Sequence, residues 1–265
     1  MLQFEASVLW NTAVSEDSFH LGLSAPADFA RARPGQFVMV QILGAPHTLL
    51  RRPFSIHNLI WKAGEFEGFE LLYKAVGRGT GALRTYGAGK RLPILGPLGS
   101  SFAVNKPWHR VFLVAGGIGV APMPFLAERL LENGLKPENG HVFIGGRSKA
   151  DLLCHAEMAA LGLPLTLTTD DGSAGDQCLI THPMESALET SPPDAVFACG
   201  PTAMLACLAD ILEKRGIFTQ VSVESMMACG MGACLGCAVP ARDADAPYRH
   251  ACIDGPVFGL EQIKI

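Results

Sequence analysis

Arg110-Val111-Phe112-Leu113-Val114-Ala115-Gly116-Gly117-Ile118-Gly119-Val120-Ala121-Pro122 is the stretch that decides the fold of this 265-residue chain. Five apolar residues in a row after Arg110 read as a strand buried on both faces of a parallel sheet. Glycines follow, and Pro122 heads a segment with helical spacing over 122–133. Strand, glycine turn and helix open a βαβ unit, and Gly116, Gly117 and Gly119 let a dinucleotide pyrophosphate approach the helix start. The turn is not Gly-x-Gly-x-x-Gly, so a tight turn selected for packing stays open beside that reading. The same alternation continues downstream. Strands over 141–145, 164–169 and 195–199 alternate with helices near 150–161 and 202–215, and a last strand covers 220–224. This predicts a doubly wound parallel sheet over 101–220. The apolar run 111–131 is no membrane span, because Gly116, Gly117, Gly119, Pro122 and Pro124 break it and Glu128 and Arg129 charge it.

Upstream the period changes. Residues 36–41 and 69–74 alternate, with turns at Pro34-Gly35, Gly44, Pro46, Gly64, Gly68, Gly87, Gly89 and Gly96-Pro97. Many short strands at even spacing predict a β barrel or sandwich over 1–100. Within it, Arg51-Arg52-Pro53-Phe54-Ser55 places two guanidinium groups beside a rigid proline and a hydroxyl, either an anion-binding corner or a solvated basic turn. Gly77-Arg78-Gly79-Thr80-Gly81 precedes a short helix, and its amides and Thr80 suit a second phosphate or form a flexible loop. Cys199-Gly200-Pro201 ends a strand at the carboxyl edge of the α/β sheet, where ligands bind.

Downstream, Cys229, Cys234 and Cys237 are spaced Cys-x4-Cys-x2-Cys, and Cys252 follows. That spacing is the plant-type pattern for a [2Fe-2S] cluster. Gly230, Gly232 and Gly236 let the loop curl so that amides face an anionic cofactor, and the loop holds no acidic residue. Zinc is the rival for four thiolates, although structural zinc usually joins two Cys-x2–4-Cys knuckles. Disulfides are the other alternative, disfavoured in a chain of this size with no leader expected. Cys154, Cys178 and Cys207 read as ordinary small residues. Met226, Met227, Met231, Leu235, Val257 and Phe258 either form a docking surface or pack the small metal module.

The length suits two domains and a small module, divided as 1–100, 101–220 and 221–265. With 49% apolar and 17% charged residues the chain is globular, and its net charge of −4 gives no electrostatic case for nucleic acid.

Together and in this order, the motifs resemble ferredoxin–NADP reductase-like flavoproteins. With the C-terminal cysteines the chain resembles the electron-transfer subunits of dihydroorotate dehydrogenase B over nearly its whole length. The most specific parts are Arg52-Pro53-Phe54-Ser55, Gly79-Thr80, 95–99, 116–122, 169–173, 224–237 and 252–258. The resemblance implies an FAD-binding barrel over 1–100, an NAD-binding α/β domain over 101–220 and a [2Fe-2S] module over 221–265. It implies that Arg52, Pro53, Phe54 and Ser55 hold the FAD pyrophosphate and flavin edge. Leu72, Tyr73 and Lys74 would line the flavin or ribityl chain, and Gly79 and Thr80 would bind the other phosphate end. Gly116, Gly117 and Gly119 would face NADH, Cys199, Gly200 and Pro201 would sit near its nicotinamide, and Cys229, Cys234, Cys237 and Cys252 would ligate the cluster. No catalytic acid, base or nucleophile is implied. The implied role is a cytoplasmic oxidoreductase subunit, exchanging electrons with an FMN-containing catalytic subunit in a heterotetramer of pyrimidine biosynthesis. The alternative is a reductase subunit of a hydrogenase, glutamate synthase or transhydrogenase complex; a redox-sensing or zinc-binding adaptor is the non-enzymatic rival. Phe54 stands where many such reductases have Tyr, and Gln262-Ile263-Lys264-Ile265 lacks a terminal aromatic. Arg147 and Ser148 suit a 2′-phosphate, whereas the family implies NADH, with Asp170 and Asp171 as candidates for the ribose.

Overall fold

The computed structural model describes residues 1–43 and 49–265. The turn expected at Gly44 and Pro46 lies outside them. In the N-terminal part, β1 (Leu2–Ala13), β2 (Ser18–Ser24), β3 (Phe37–Val40), β4 (Arg52–Ser55), β5 (Asn58–Lys62), β6 (Glu65–Lys74) and β7 (Arg91–Leu98) form one antiparallel sheet in the order β4-β3-β7-β1-β2-β6-β5. A short helix, α1 (Arg78–Leu83), precedes β7. β1 is irregular between Val8 and Trp10, and there it changes partner from β7 to β2, which curls the sheet. The chain beyond β4 joins the two edges. Ile56 N–H donates to Gln36 O at 3.0 Å, and His57 N–H donates to Glu70 O at 2.8 Å. Phe29 stacks on Phe69, centroids 4.4 Å apart, inside the barrel.

Strand β3 does not show the half-buried alternation that its sequence predicts, because all four of its residues are buried. Val38 and Val40 point into the barrel, whereas Phe37 and Met39 pack against Cys237 and Cys252 of the C-terminal module. Alternation is kept, but each face meets a different core.

The second part is the doubly wound sheet. It runs β8 (Val111–Gly116), α2 (Met123–Glu132), β9 (Gly140–Gly146), α3 (His155–Ala160), β10 (Leu165–Thr169), α4 (Thr181–Thr190), β11 (Ala195–Cys199), α5 (Thr202–Leu212) and β12 (Phe218–Ser222). The strand order is β10-β9-β8-β11-β12, all parallel. Val111, Leu113 and Ala115 face α2 and α3 on one side, and Phe112 and Val114 face α4 and α5 on the other. The strand order reverses between β8 and β11, so a crevice opens beyond Gly116 and Cys199, the place where open α/β sheets bind ligands.

Several boundaries move. The helix expected near 150–161 is a single 3-10 turn at Lys149–Asp151 followed by α3, because Cys154 takes a left-handed φ of 59° and breaks the spiral. β12 starts at Phe218, before the division at 220, and a late strand returns to it. After the hairpin β13 (Ala238–Pro240) and β14 (Tyr248–His250), β15 (Val257–Gly259) adds antiparallel to β12. The 221–265 module is therefore built into the sheet edge. Ser100 ties it to the barrel as well, donating from Oγ to Val257 O at 2.9 Å and accepting from Val257 N–H at 3.2 Å. The two larger parts also interlock: Phe125 of α2 lies in the barrel core, and Leu72 of β6 lies in the core of the parallel sheet. Among the described residues no helix is long and apolar enough to cross a membrane.

Candidate redox site

A cavity of about 440 Å³ opens where the three parts meet. The barrel supplies Arg52–Ser55, Leu72–Lys74 and Thr80, the parallel sheet supplies Gly119 and Cys199, and the C-terminal segment supplies Glu224 and Met227. Its wall is apolar around Phe54, whose ring meets Tyr73 edge-on at 5.7 Å. An aromatic-lined cleft of this size fits a planar ring system better than a free anion.

The polar ends of several expected residues are engaged within the protein. Arg52 donates from Nη1 to Leu50 O at 2.9 Å and to Arg51 O at 3.3 Å. Tyr73 donates its hydroxyl to Asn11 Oδ1 at 3.2 Å, and burial pushes the phenol up to about 12, so its ring rather than its oxygen serves the cavity. Lys74 Nζ bonds Asp151 Oδ1 at 2.8 Å and Asp17 Oδ2 at 3.0 Å, which leaves the lysine stem as lining. Burial is the largest single influence on the Asp151 carboxyl and raises it, but the Lys74 hydrogen bond and the charges of Lys74 and Arg147 together hold it below its usual range. Thr80 Oγ1 accepts the N–H groups of Val76 at 3.0 Å and Gly77 at 3.1 Å, so the Gly77 amide expected to meet a phosphate is already satisfied. Gly79 is buried in α1.

The glycine turn and Cys199-Gly200-Pro201 come together at the switch point. A Cβ on Gly119 would stand 2.4 Å from Cys199 O, and one on Gly116 would stand 2.8 Å from Pro201 Cδ. Packing therefore demands those two glycines whatever else they do. Gly117, with φ 52°, faces open space. A 3-10 turn over Gly117–Val120 separates it from α2, whose first residues Met123 and Pro124 are buried. Cys199 lines the cavity, and its thiol is pushed up to about 12, chiefly by burial and then by the neighbouring Glu224 carboxylate.

The four loop cysteines form two pairs. Cys237 and Cys252 are buried with sulfurs 3.3 Å apart. Cys229 and Cys234 make the other pair, with the Cys234 N–H 3.4 Å from Cys229 Sγ. Further amides point at sulfur: Gly232 N–H to Cys252 at 3.2 Å, Met231 N–H to Cys229 at 3.5 Å and Gly236 N–H to Cys234 at 3.5 Å. The Met231 and Cys234 amides lower the Cys229 thiol to about 6. Donors converging on thiolates suit a net-negative cluster. Among the described residues no three of these sulfurs fall within 4.8 Å of one another. A zinc tetrathiolate needs four sulfurs roughly 3.8 Å apart from Zn–S bonds of about 2.3 Å; two separated pairs fit two irons.

Sequence reading missed Glu224 and Phe37 as cavity residues, and it named Met227 only for docking or packing. Glu224 follows the last parallel strand, and burial raises its carboxyl above the ordinary value. Phe37 and Met227 line the cavity and also pack in the cluster of side chains around Cys237 and Cys252. Of the apolar residues named for docking or packing, Met226 is 90% exposed and Met231 and Leu235 are exposed, whereas Val257 and Phe258 are core.

The iron-sulfur cluster binding domain of dihydroorotate dehydrogenase B matches residues 224–264, and the oxidoreductase NAD-binding domain matches residues 113–210. The dihydroorotate dehydrogenase B (NAD(+)) electron transfer subunit of Desulforamulus reducens is 34% identical over 262 residues, covering 98% of this chain and 97% of that one. Its counterpart in Bacillus caldolyticus is 35% identical over 255 residues, 95% of each. This chain belongs to the dihydroorotate dehydrogenase B electron-transfer subunit family. Cys229, Cys234, Cys237 and Cys252 all lie within the matched span 224–264. Among solved structures, an NADH-dependent reduced ferredoxin-NADP oxidoreductase, studied for flavin-based electron bifurcation, superposes with a TM-score of 0.83 at 28% identity, over 98% of this chain and 89% of that one. The ferredoxin reductase of carbazole 1,9a-dioxygenase shares the fold, with a TM-score of 0.67 at 24% identity over 82% of this chain and 66% of that one.

Proposed function

We propose that this chain moves electrons between NAD(H) and a separate FMN-containing subunit that oxidises dihydroorotate, through FAD and a [2Fe-2S] cluster. The observation that supports this best is the shared wall: Phe37 and Met227 touch both the cavity and the side chains around Cys237 and Cys252. A cofactor in the cavity and one on the cysteines would be parted by a single layer of side chains. When bound, FAD exchanges a hydride with a nicotinamide and releases electrons singly, and the cluster accepts one at a time.

The chain itself binds, orients and shields. Arg52, Pro53, Phe54 and Ser55 hold the FAD pyrophosphate and flavin edge. Leu72, Tyr73 and the Lys74 stem line the ring and ribityl chain, and Gly79 and Thr80 shape the other phosphate end. Gly116, Gly117 and Gly119 face the incoming NADH, with Cys199, Gly200 and Pro201 beside its nicotinamide. Cys229, Cys234, Cys237 and Cys252 ligate the irons. The division into an FAD barrel, an NAD domain and a cluster module follows these roles. Met226, Met231 and Leu235 sit exposed beside the cysteine loop, a surface that suits the catalytic subunit in a cytoplasmic heterotetramer. Full-length likeness to the bifurcating oxidoreductase favours a second reading, a reductase subunit of another complex.

Anaerobic titration of the purified chain with NADH tests the carriers. Loss of both flavin bands and the broad iron–sulfur absorption is expected. A colourless, zinc-loaded protein would overturn the reading.

A further inference from the structure

We propose that His57, Cys154 and Glu157 form a second metal site, of the class that takes zinc, at the joint between the barrel and the parallel sheet. His57 lies between β4 and β5 and is 1% exposed. Cys154 and Glu157 come from the start of α3 in the other domain. Their ligand atoms all lie within 4.8 Å of one another. His57 Nε2 stands 3.5 Å from Glu157 Oε2, inside the roughly 3.3–3.8 Å spacing that metal–ligand bonds of about 2.0–2.3 Å impose on tetrahedral zinc.

The surroundings of His57 favour ligation. Its Nδ1 is 2.6 Å from Ala121 O. A carbonyl only accepts, so Nδ1 bears the hydrogen and Nε2 is turned toward Glu157 and Cys154. Metal-bound histidines are held in this way, with the second ring nitrogen donating to a carbonyl or carboxylate. His20 stands beside it, ring centroids 5.1 Å apart, and His20, His57 and Glu70 form an overlapping group of the same tightness. His20 Nε2 is held by Glu70 Oε2 at 3.0 Å, so the fourth position falls to water. Thiolate, imidazole and carboxylate together select zinc over magnesium or calcium. On uptake the Cys154 thiol gives its proton to solvent and a Zn–S bond forms. Such an ion would pin α3 to the barrel directly behind Ala121, which lines the cavity.

Metal analysis of the full chain, purified with flavin and iron in place and dialysed against micromolar zinc, tests the site. About one zinc per chain is expected beside two irons. Zinc-edge X-ray absorption should show one sulfur near 2.3 Å with nitrogen and oxygen near 2.0 Å. Cys154→Ser and His57→Gln should each lower zinc at least tenfold with iron and flavin unchanged. Absence of zinc, which leaves only a His57–Glu157 ion pair, would overturn the proposal. So would a four-sulfur shell, or zinc that survives both variants and disappears with Cys234→Ala, since that metal would sit in the cysteine loop. The absorption measurement on the unaltered protein decides the matter even if the variants fold poorly.

Discussion

The sulfurs of Cys237 and Cys252 meet at 3.3 Å although the two residues are fifteen positions apart in the chain. The β13–β14 hairpin causes this. Its register pairs Ala238 with His250, and Ala251 N–H donates to Cys237 O at 3.0 Å, so the residues flanking the hairpin face each other. The lone fourth cysteine of the sequence is thus half of a pair, and Cys229 and Cys234 are the other half.

Removing one ligand should therefore separate the two carriers. In Cys234→Ala, iron should fall from two per chain to nearly none, while FAD and NADH-driven reduction of a small dye persist. Iron analysis and a dye assay check this. Loss of dye reduction with FAD retained would mean that electrons reach the dye only by way of the cysteines.

Gly232 has φ +81°, and a Cβ there would stand 2.1 Å from Ile253 Cδ1. Gly232→Ala should cost about 1–2 kcal/mol for the left-handed conformation alone, with displacement of Ile253 added. The expected result is faster bleaching of the cluster on warming, with flavin content unchanged. Adding Ile253→Ala should restore only part of the loss, because it relieves the clash but not the backbone strain.

Arg52 is the cation of the cavity wall on β4. Arg52→Ala removes a charge-assisted hydrogen bond to the proposed FAD pyrophosphate, about 1.5–3 kcal/mol. FAD should bind roughly 10- to 150-fold more weakly by that measure, as read by fluorescence titration of the apoprotein, with the iron content unaltered.

Glu224 gives a pH signature. Burial raises its carboxyl above the ordinary value, so the folded protein holds this proton more tightly than the unfolded chain. Its contribution to stability is full below the unfolded carboxyl pKa and is lost as pH rises through the folded one. Glu224→Gln keeps the shape without the titration. The variant should melt higher relative to the unaltered protein at pH 8 than at pH 4, and melting curves across that range check the sign.

The strand, glycine turn and helix at 110–122 were legible because an unbroken apolar run and clustered glycines admit few other readings. The iron-sulfur module was legible because the cysteine spacing that marks it is local. What escaped depends on distant chain. Glu224 is an unremarkable acid in sequence, and it matters only because β12 lies beside β11 and brings it to Cys199. The two-sided burial of β3 comes from a module almost two hundred residues away. α4 was missed because Thr181–Thr190 buries only Thr181, Met184 and Leu188, too sparse a stripe to read as a helix. Cys154 read as an ordinary small residue because nothing in sequence places it beside His57, almost a hundred residues earlier.

The most direct measurement is dihydroorotate-dependent reduction of NAD+ by this chain purified with its FMN-containing partner. Both subunits together should reduce NAD+, and the partner combined with Cys234→Ala should not. A complex that reduces NAD+ equally well with the cysteine ligand removed, or a chain that never associates with such a partner, would contradict electron transfer through the cysteine module to a dihydroorotate-oxidising subunit.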